Sequence, residues 1–451
     1  MAATESPQSL NFTAKGLATR ERILQAAAQV VLSEGLTGFS HDLVRRQAGI
    51  SGSQISHYFV DKPALIRAVL ERQIEVVLNF HRQAQLGGLD TFDDWERWAQ
   101  LNLRYLRTIG YDGTPTYHTL AGQLAKSDAA TRDTLADGYW RWVDLLEESF
   151  QRMKDRGVLV AAAEPRELAM VVVAGHQGLG TLTFAFRQEW PLSDGTRFVV
   201  NHLRLYAADP AEKSPRPPRR PRTGWTRHAQ DARDGGPNGF SRKGLATRAR
   251  IVEGAAELIF EQGLHSTSLK DVRGKVGVSG SQLSHYFADK RDLTREVIAA
   301  RTADVLDFHT QPALGELSSL KDLQAWADAC VKQVDAVYVR GGCIYGSLAG
   351  ELLEADEAVL DDLAAGYARW IGLFRKGLTT MRERGELVAD ADPRHLAVAL
   401  LIAHQGGTML SHATGNADWF RITVGAALDY VFSFRAPTKR AARRAGSRTD
   451  R

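Results

Sequence analysis

The chain has 451 residues, 44% hydrophobic and 24% charged, with a formal net charge of +4. These are the proportions of an ordinary globular protein and exclude a collagen-like, disulfide-scaffolded or wholly disordered chain. Its two cysteines, Cys330 and Cys343, fit a reducing cytoplasm, and the start of the chain lacks the basic-then-apolar pattern of a signal peptide.

In chain order, residues 1–14 read as a disordered N-terminal arm. Leu17, Ile23, Ala26, Ala27, Val30 and Val31 recur at helical spacing, which predicts a first helix stopped by Gly35. Ser40 can cap a second helix, bearing Leu43 and Val44 and ending at Gly49. Ser51 opens a short third helix to about Tyr58, and Asp61 caps a long fourth with Leu65, Val69, Val76, Val77 and Phe80 on its apolar side. Further helices are expected over about 91–109, 117–125, 129–156, 166–187 and 195–207. The apolar run 168–186 approaches membrane-spanning length, but His176, Gln177 and three glycines within it point to a helix buried between helices, so no membrane partner is expected. Alternating strand patterns are absent and the fold class is all-α.

The pattern then starts again 228 positions later. Lys15-Gly16-Leu17-Ala18-Thr19-Arg20 returns as Lys243-Gly244-Leu245-Ala246-Thr247-Arg248, and 33 of the 68 residues from Lys15 to Arg82 match at that offset. Trp98 pairs with Trp326, and His176-Gln177-Gly178 with His404-Gln405-Gly406. A repeat this long is a duplicated domain pair rather than a solenoid unit. The expected division is a front module at 15–61, a helical rear module at 62–207, a Pro/Gly-rich linker at 208–240, a second front module at 241–289, a second rear module at 290–435 and a tail at 436–451. Linker and tail hold most of the excess positive charge, which near nucleic acid adds sequence-independent attraction.

A helix, a Gly turn and a short capped helix make a helix-turn-helix, so 15–61 and 241–289 are expected to bind DNA. On the short helix Ile55 and Phe59 point inward, leaving Ser51, Ser53, Gln54, Ser56 and His57 for base edges; Gln can bind adenine bidentately. Ser51-x-x-Gln54 is equally a capping box, in which Gln54 folds back on its own helix. Capping alone does not require Ser56, His57 and Tyr58 to recur, yet Ser279, Ser281, Gln282, Ser284, His285 and Tyr286 repeat the set.

The segments Ala18-Thr19-Arg20-x-x-Ile23, Ala48-Gly49-Ile50-Ser51 and His57-Tyr58-Phe59-x-Asp61-Lys62-x-x-Leu65, with their twins, resemble the DNA-binding domain of the tetracycline-repressor (TetR) family. The resemblance extends over nearly the whole chain except linker and tails. It implies two tandem units, each a three-helix DNA-binding domain on a helical-bundle domain for ligand and dimerisation. By position it implies phosphate contacts from Thr19, His57, Tyr58 and Lys62, and from Thr247, His285, Tyr286 and Lys290. The sequence departs from the family at Ser56 and Ser284, where Tyr is common, and at Gly52 and Gly280, where Lys is frequent. Candidate ligand residues are Trp98, Tyr105, Tyr117, His118 and His176 in the first copy, and Trp326, Cys343, Tyr345, Glu351, His404 and Met409 in the second. His176-Gln177 and His404-Gln405 could instead serve the interface between copies.

The expected function is a ligand-responsive repressor whose copies form an intramolecular pseudo-dimer on a pseudo-palindromic double-stranded DNA operator, with an unknown small-molecule effector. A further homodimer is left open. The alternative is a constitutive, architectural DNA-binding protein whose basic tails supply most of the affinity. No P-loop, metal-ligand spacing, nucleophile elbow or dinucleotide turn is present, so no enzyme, cofactor, metal or catalytic residue is expected.

Overall fold

The computed structural model describes residues 12–109, 122, 124, 126–213, 240–264, 266–352 and 357–437. Among these, every regular element is helical; two single antiparallel bridges, Leu159 with Ala207 and Leu387 with Arg435, close the two copies at equivalent positions. The basic stretches 214–239 and 438–451 lie outside the described residues.

In the first copy, α1 (Ala14–Gly38) buries Ile23, Ala26, Ala27, Val30 and Val31. It leaves Leu17 55% exposed and runs past Gly35, because one glycine inside a helix costs only about 1 kcal/mol. In the second copy the equivalent Gly263 takes φ 90° and does end its helix. The Ser40 hydroxyl accepts from the Leu43 amide at 3.2 Å and starts α2 (His41–Ala48), and Gly49 at φ 64° turns the chain into α3 (Gly52–Tyr58). Asp61 accepts from the Ala64 amide at 2.7 Å at the head of α4 (Lys62–His81), with Pro63 in its tolerant first turn. Leu65 and Val69 are buried, whereas Val76 is exposed.

The rear module follows as α5 (Phe92–Ile109), α6 (Ala129–Asp155), α7 (Pro165–Phe186) and α8 (Trp190–Leu205). Helix α8 begins five residues before the expected 195: Pro191 sits in the first turn, and Gly195 is a packing position whose Cβ would meet Leu179 and Ile402. The apolar α7 is long enough to cross a membrane, but 89% of its most apolar window is buried in the protein, as a core helix would be. Buried His81 ties α4 to α5: Nδ1–H donates to the Val77 carbonyl at 2.8 Å, and Nε2 accepts from the Trp98 indole at 3.1 Å.

The second copy repeats this plan as α9 (Arg242–Gln262), α10 (Leu269–Val276), α11 (Gly280–Tyr286) and α12 (Lys290–His309). Its rear module holds α13 (Leu320–Lys332), a π turn at Val334–Tyr338, α14 (Ile344–Glu351), α15 (Glu357–Glu383), α16 (Pro393–Thr414) and α17 (Asp418–Phe432). His309 repeats the role of His81 and accepts from both Trp326 and Trp370, each at 3.0 Å.

Helices α7 and α8 each contact α16 and α17, so four helices pack across the two halves. The crossing is tightest at Gly178 and Gly406. A Cβ on Gly178 would strike the Ile402 carbonyl oxygen, and one on Gly406 the carbonyl oxygen of Ala174, the residue equivalent to Ile402. The same contact is thus made in both directions. The repeated Gln residues brace their own copies: Gln177 accepts from Tyr139 at 3.3 Å, and Gln405 from Tyr367 at 3.0 Å.

Candidate nucleic-acid interface

Each front module presents its short helix outward. In α3 and α11 the buried anchors are Ile55 and Leu283, with Phe59 and Phe287 just beyond. Ser51, Ser53, Gln54, Ser56 and His57 are exposed, as are Ser279, Ser281, Gln282, Ser284 and His285. All of these side chains are solvent-exposed on the short helix of their copy. Both glutamines complete their capping boxes: Gln54 Oε1 accepts from the Ser51 amide and Gln282 Oε1 from the Ser279 amide, each at 2.9 Å. A bidentate contact to adenine would have to share that oxygen with the cap.

The expected phosphate ligands divide. His57, Tyr58, His285 and Tyr286 lie at the surface or half-buried. Thr19 is buried, and its hydroxyl donates to the Lys15 carbonyl at 2.9 Å; Thr247 donates to that of Lys243 at 3.0 Å. Lys62 donates to the Phe39 carbonyl at 3.0 Å and Lys290 to that of Leu264 at 2.7 Å, with burial lowering the ammonium pKa of Lys62. The two lysines thus tie the head of the fourth helix of each copy to the end of the first, while the two threonine hydroxyls bond within their own helices. Sequence reasoning missed Phe12 and Phe240, which pack at a tilt against Tyr58 and Tyr286 with ring centroids 4.9 and 5.2 Å apart. Their spacing of 228 was a signal, but both fell in segments read as arm and linker.

In the first rear module a cavity of about 700 Å³ opens between α4, α5, α7 and α8. Its apolar wall includes Val77, Phe80, Leu106, Leu179 and Leu192; Tyr105, Asn102, Thr183 and His176 add polar groups. His176 Nε2 lies 3.3 Å from Asn102 Oδ1. Of the five expected ligand residues, Tyr105 and His176 line this cavity. Trp98 does not: it is fully buried and belongs to the His81 core, a correction caused by its indole being spent on that histidine. Tyr117 and His118 lie outside the described residues.

In the second copy the expected ligand residues are packed together as core. Trp326, Cys343, Tyr345 and His404 are buried, Met409 is partly buried against them, and Tyr345 donates to the Leu363 carbonyl at 2.8 Å. The Glu351 side chain lies outside the described residues. Tyr338 and Phe420 pack at a tilt, ring centroids 4.9 Å apart, against His404, and the Tyr338 hydroxyl lies 3.3 Å from His404 Nε2. Burial pushes the His404 pKa down to about 3 and the Cys330 thiol up to about 12, so both are neutral near pH 7.

An exposed polar helix set against a helix-turn support, on an all-helical bundle, is the arrangement of a helix-turn-helix module. Residues 251–297 match the family described as bacterial regulatory proteins, tetR family, and residues 319–425 match the tetracyclin repressor-like C-terminal domain. Both matches fall in the second copy, which is similar to the TetR family in its front and its rear module. It is 26% identical to the transcriptional regulator AcuR of Cereibacter sphaeroides over 185 residues, spanning 40% of this chain and 82% of that protein. It is 22% identical to the HTH-type transcriptional repressor KstR2 of Rhodococcus jostii over 151 residues, 33% of this chain and 74% of the other. Among solved structures, a TetR regulatory protein from Rhodobacter sphaeroides aligns at 22% identity and TM-score 0.37, covering 41% of this chain and 98% of that one. The reduced form of NemR from E. coli aligns at 18% identity and TM-score 0.38, covering 43% and 99%. The matched families and curated relatives are transcriptional regulators and not enzymes.

Proposed function

We propose that the chain is a ligand-responsive repressor that reads a pseudo-palindromic operator with its own two front modules, as an intramolecular pseudo-dimer. The observation that carries this reading is the reciprocal contact of α7 with α16 at Gly178 and Gly406. A contact made identically in both directions is the mark of a two-fold interface, here within one chain. The repeated outward residues of α3 and α11 then favour two similar, inverted half-sites, spaced about 34–36 Å or a multiple of it. Differences at His41/Leu269, Asp42/Lys270 and Arg46/Gly274 favour half-sites that are not identical. An effector bound in a rear module would lower DNA affinity to the extent that it prefers the spacing that does not fit the operator.

The test is selection of random duplex DNA by the full-length chain, with the mass of the complex measured on the winning sequence. An inverted repeat holding one chain is the expected result; a single half-site per chain overturns the reading. Deleting 435–451 tests the architectural alternative, because it should weaken binding here and abolish it there.

A further inference from the structure

The two rear modules are built alike and finished differently. At the first copy's cavity stand Leu179, Thr183 and Leu192; the second copy has Gly407, Ser411 and Phe420 at those positions. Gly407 lacks the Cβ that would come within 3.0 Å of the Phe420 Cα, so Phe420 can move in. Tyr338, which stands where the first copy has Gly110, fills in beside it against His404. The polar groups there are satisfied from within: Ser411 accepts from the Phe420 amide at 3.3 Å, and His404 meets Tyr338 and Gln405.

The first copy keeps the space. Thr183 is 3% exposed, lines the cavity, and its hydroxyl has no hydrogen-bond partner among the described residues. A buried hydroxyl without an acceptor costs stability, so a group supplied from outside is the natural partner. The remaining wall is dominated by apolar side chains, and the one guanidinium on its rim, Arg104, is exposed. Such a lining suits an uncharged ligand whose polar group is small.

We propose that the effector site lies in the first copy alone and takes a neutral, largely apolar molecule with one acceptor oxygen directed at Thr183. In the second copy Tyr338 and Phe420 occupy the equivalent space. One effector per chain would then control both reading heads. This rests on the ligand-responsive reading above and adds its stoichiometry, location and ligand class.

Titration of the full-length chain with prodan, a neutral naphthyl ketone, tests it through fluorescence and binding stoichiometry. One prodan per chain is expected. Leu192→Phe, which gives the first copy the second copy's residue, should weaken binding more than tenfold. The near-isosteric Thr183→Val should weaken it roughly fivefold to tenfold through loss of one hydrogen bond, and shift bound emission to the blue. Tyr338→Gly with Phe420→Leu should raise the stoichiometry to two. Two sites or none in the natural chain, unchanged affinity in both Leu192→Phe and Thr183→Val, or a stoichiometry still at one in a helical double variant overturns the proposal. Operator affinity with prodan bound is a separate readout: if it is unchanged, the ligand-responsive reading fails while the single site stands.

Discussion

His395 of α16 and Asp194 of α8 meet across the junction between the two halves, with Nδ1 and Oδ1 3.1 Å apart and both side chains buried. Arg394 lies 3.1 Å from the other carboxylate oxygen. The Tyr430 hydroxyl lies 2.9 Å from His395 Nε2 and accepts from Asn201 of the first half at 2.9 Å. The network has no mirror image. Ile422 stands where a second Asp194 would be, and Glu167 where a second His395 would be.

Asp194→Ala leaves buried His395 without its acceptor and takes one carboxylate from half-buried Arg394. Breaking a buried pair from one side typically costs about 3–5 kcal/mol, and a loss of that order is expected in urea unfolding. A loss below about 1 kcal/mol would mean that the junction is held by packing alone.

The same asymmetry ties each half to the other rather than to its own kind. Two first halves would set Asp194 against Glu167, and two second halves would leave His395 facing Ile422. A specific protease site inserted between residues 213 and 240 should therefore yield, after cutting, a one-to-one complex of unlike halves by native mass spectrometry. Pairs of like halves would contradict this.

Gly178→Ala and Gly406→Ala push a methyl into backbone on the opposite half and should each cost about 1–3 kcal/mol. Gly372, inside α15 with open space at its Cβ position, is the internal control. Gly372→Ala should instead stabilise by roughly 0.5–1 kcal/mol, by thermal or urea melts.

Burial holds the pKa of His81, His202 and His309 down at about 4, against 6.5 for the free side chain. The unfolded chain then binds more protons than the folded one between these values, so stability rises with pH across that window. It is fully present above about pH 6.5 and is lost as pH falls towards 4, on the order of 3 kcal/mol per histidine. Urea midpoints measured from pH 7 to 4 should fall steeply; a flat profile would mean that these imidazoles are charged or exposed when folded.

Gln54 and Gln282 carry two readings that one experiment separates. Replacing both by Ala removes both capping boxes, at about 1 kcal/mol each. If the glutamines also read bases, the selected DNA motif should lose its preference at one position per half-site, typically ~1–3 kcal/mol. An unchanged motif would leave them as caps only.

Much of this protein was legible in its sequence because local rules fix local structure. The caps at Ser40 and Asp61, the turn at Gly49 and the inward Ile55 and Phe59 all follow from backbone geometry and helical period. The repeat at an offset of 228 is visible in the sequence itself. What the sequence left open was decided by contacts between residues far apart in the chain. Gly178 and Gly406 were a repeated motif whose reason is a neighbour's carbonyl on the other half. Trp98 has the residue type of a ligand contact, yet its indole N–H donates to His81, which lies 17 positions away in the sequence. Above all, matching positions in the two rear modules predicted two pockets. Only the packing of Phe420 and Tyr338 against His404 distinguishes a filled core from an open cavity, because that outcome depends on side-chain volume in three dimensions rather than on spacing along the chain.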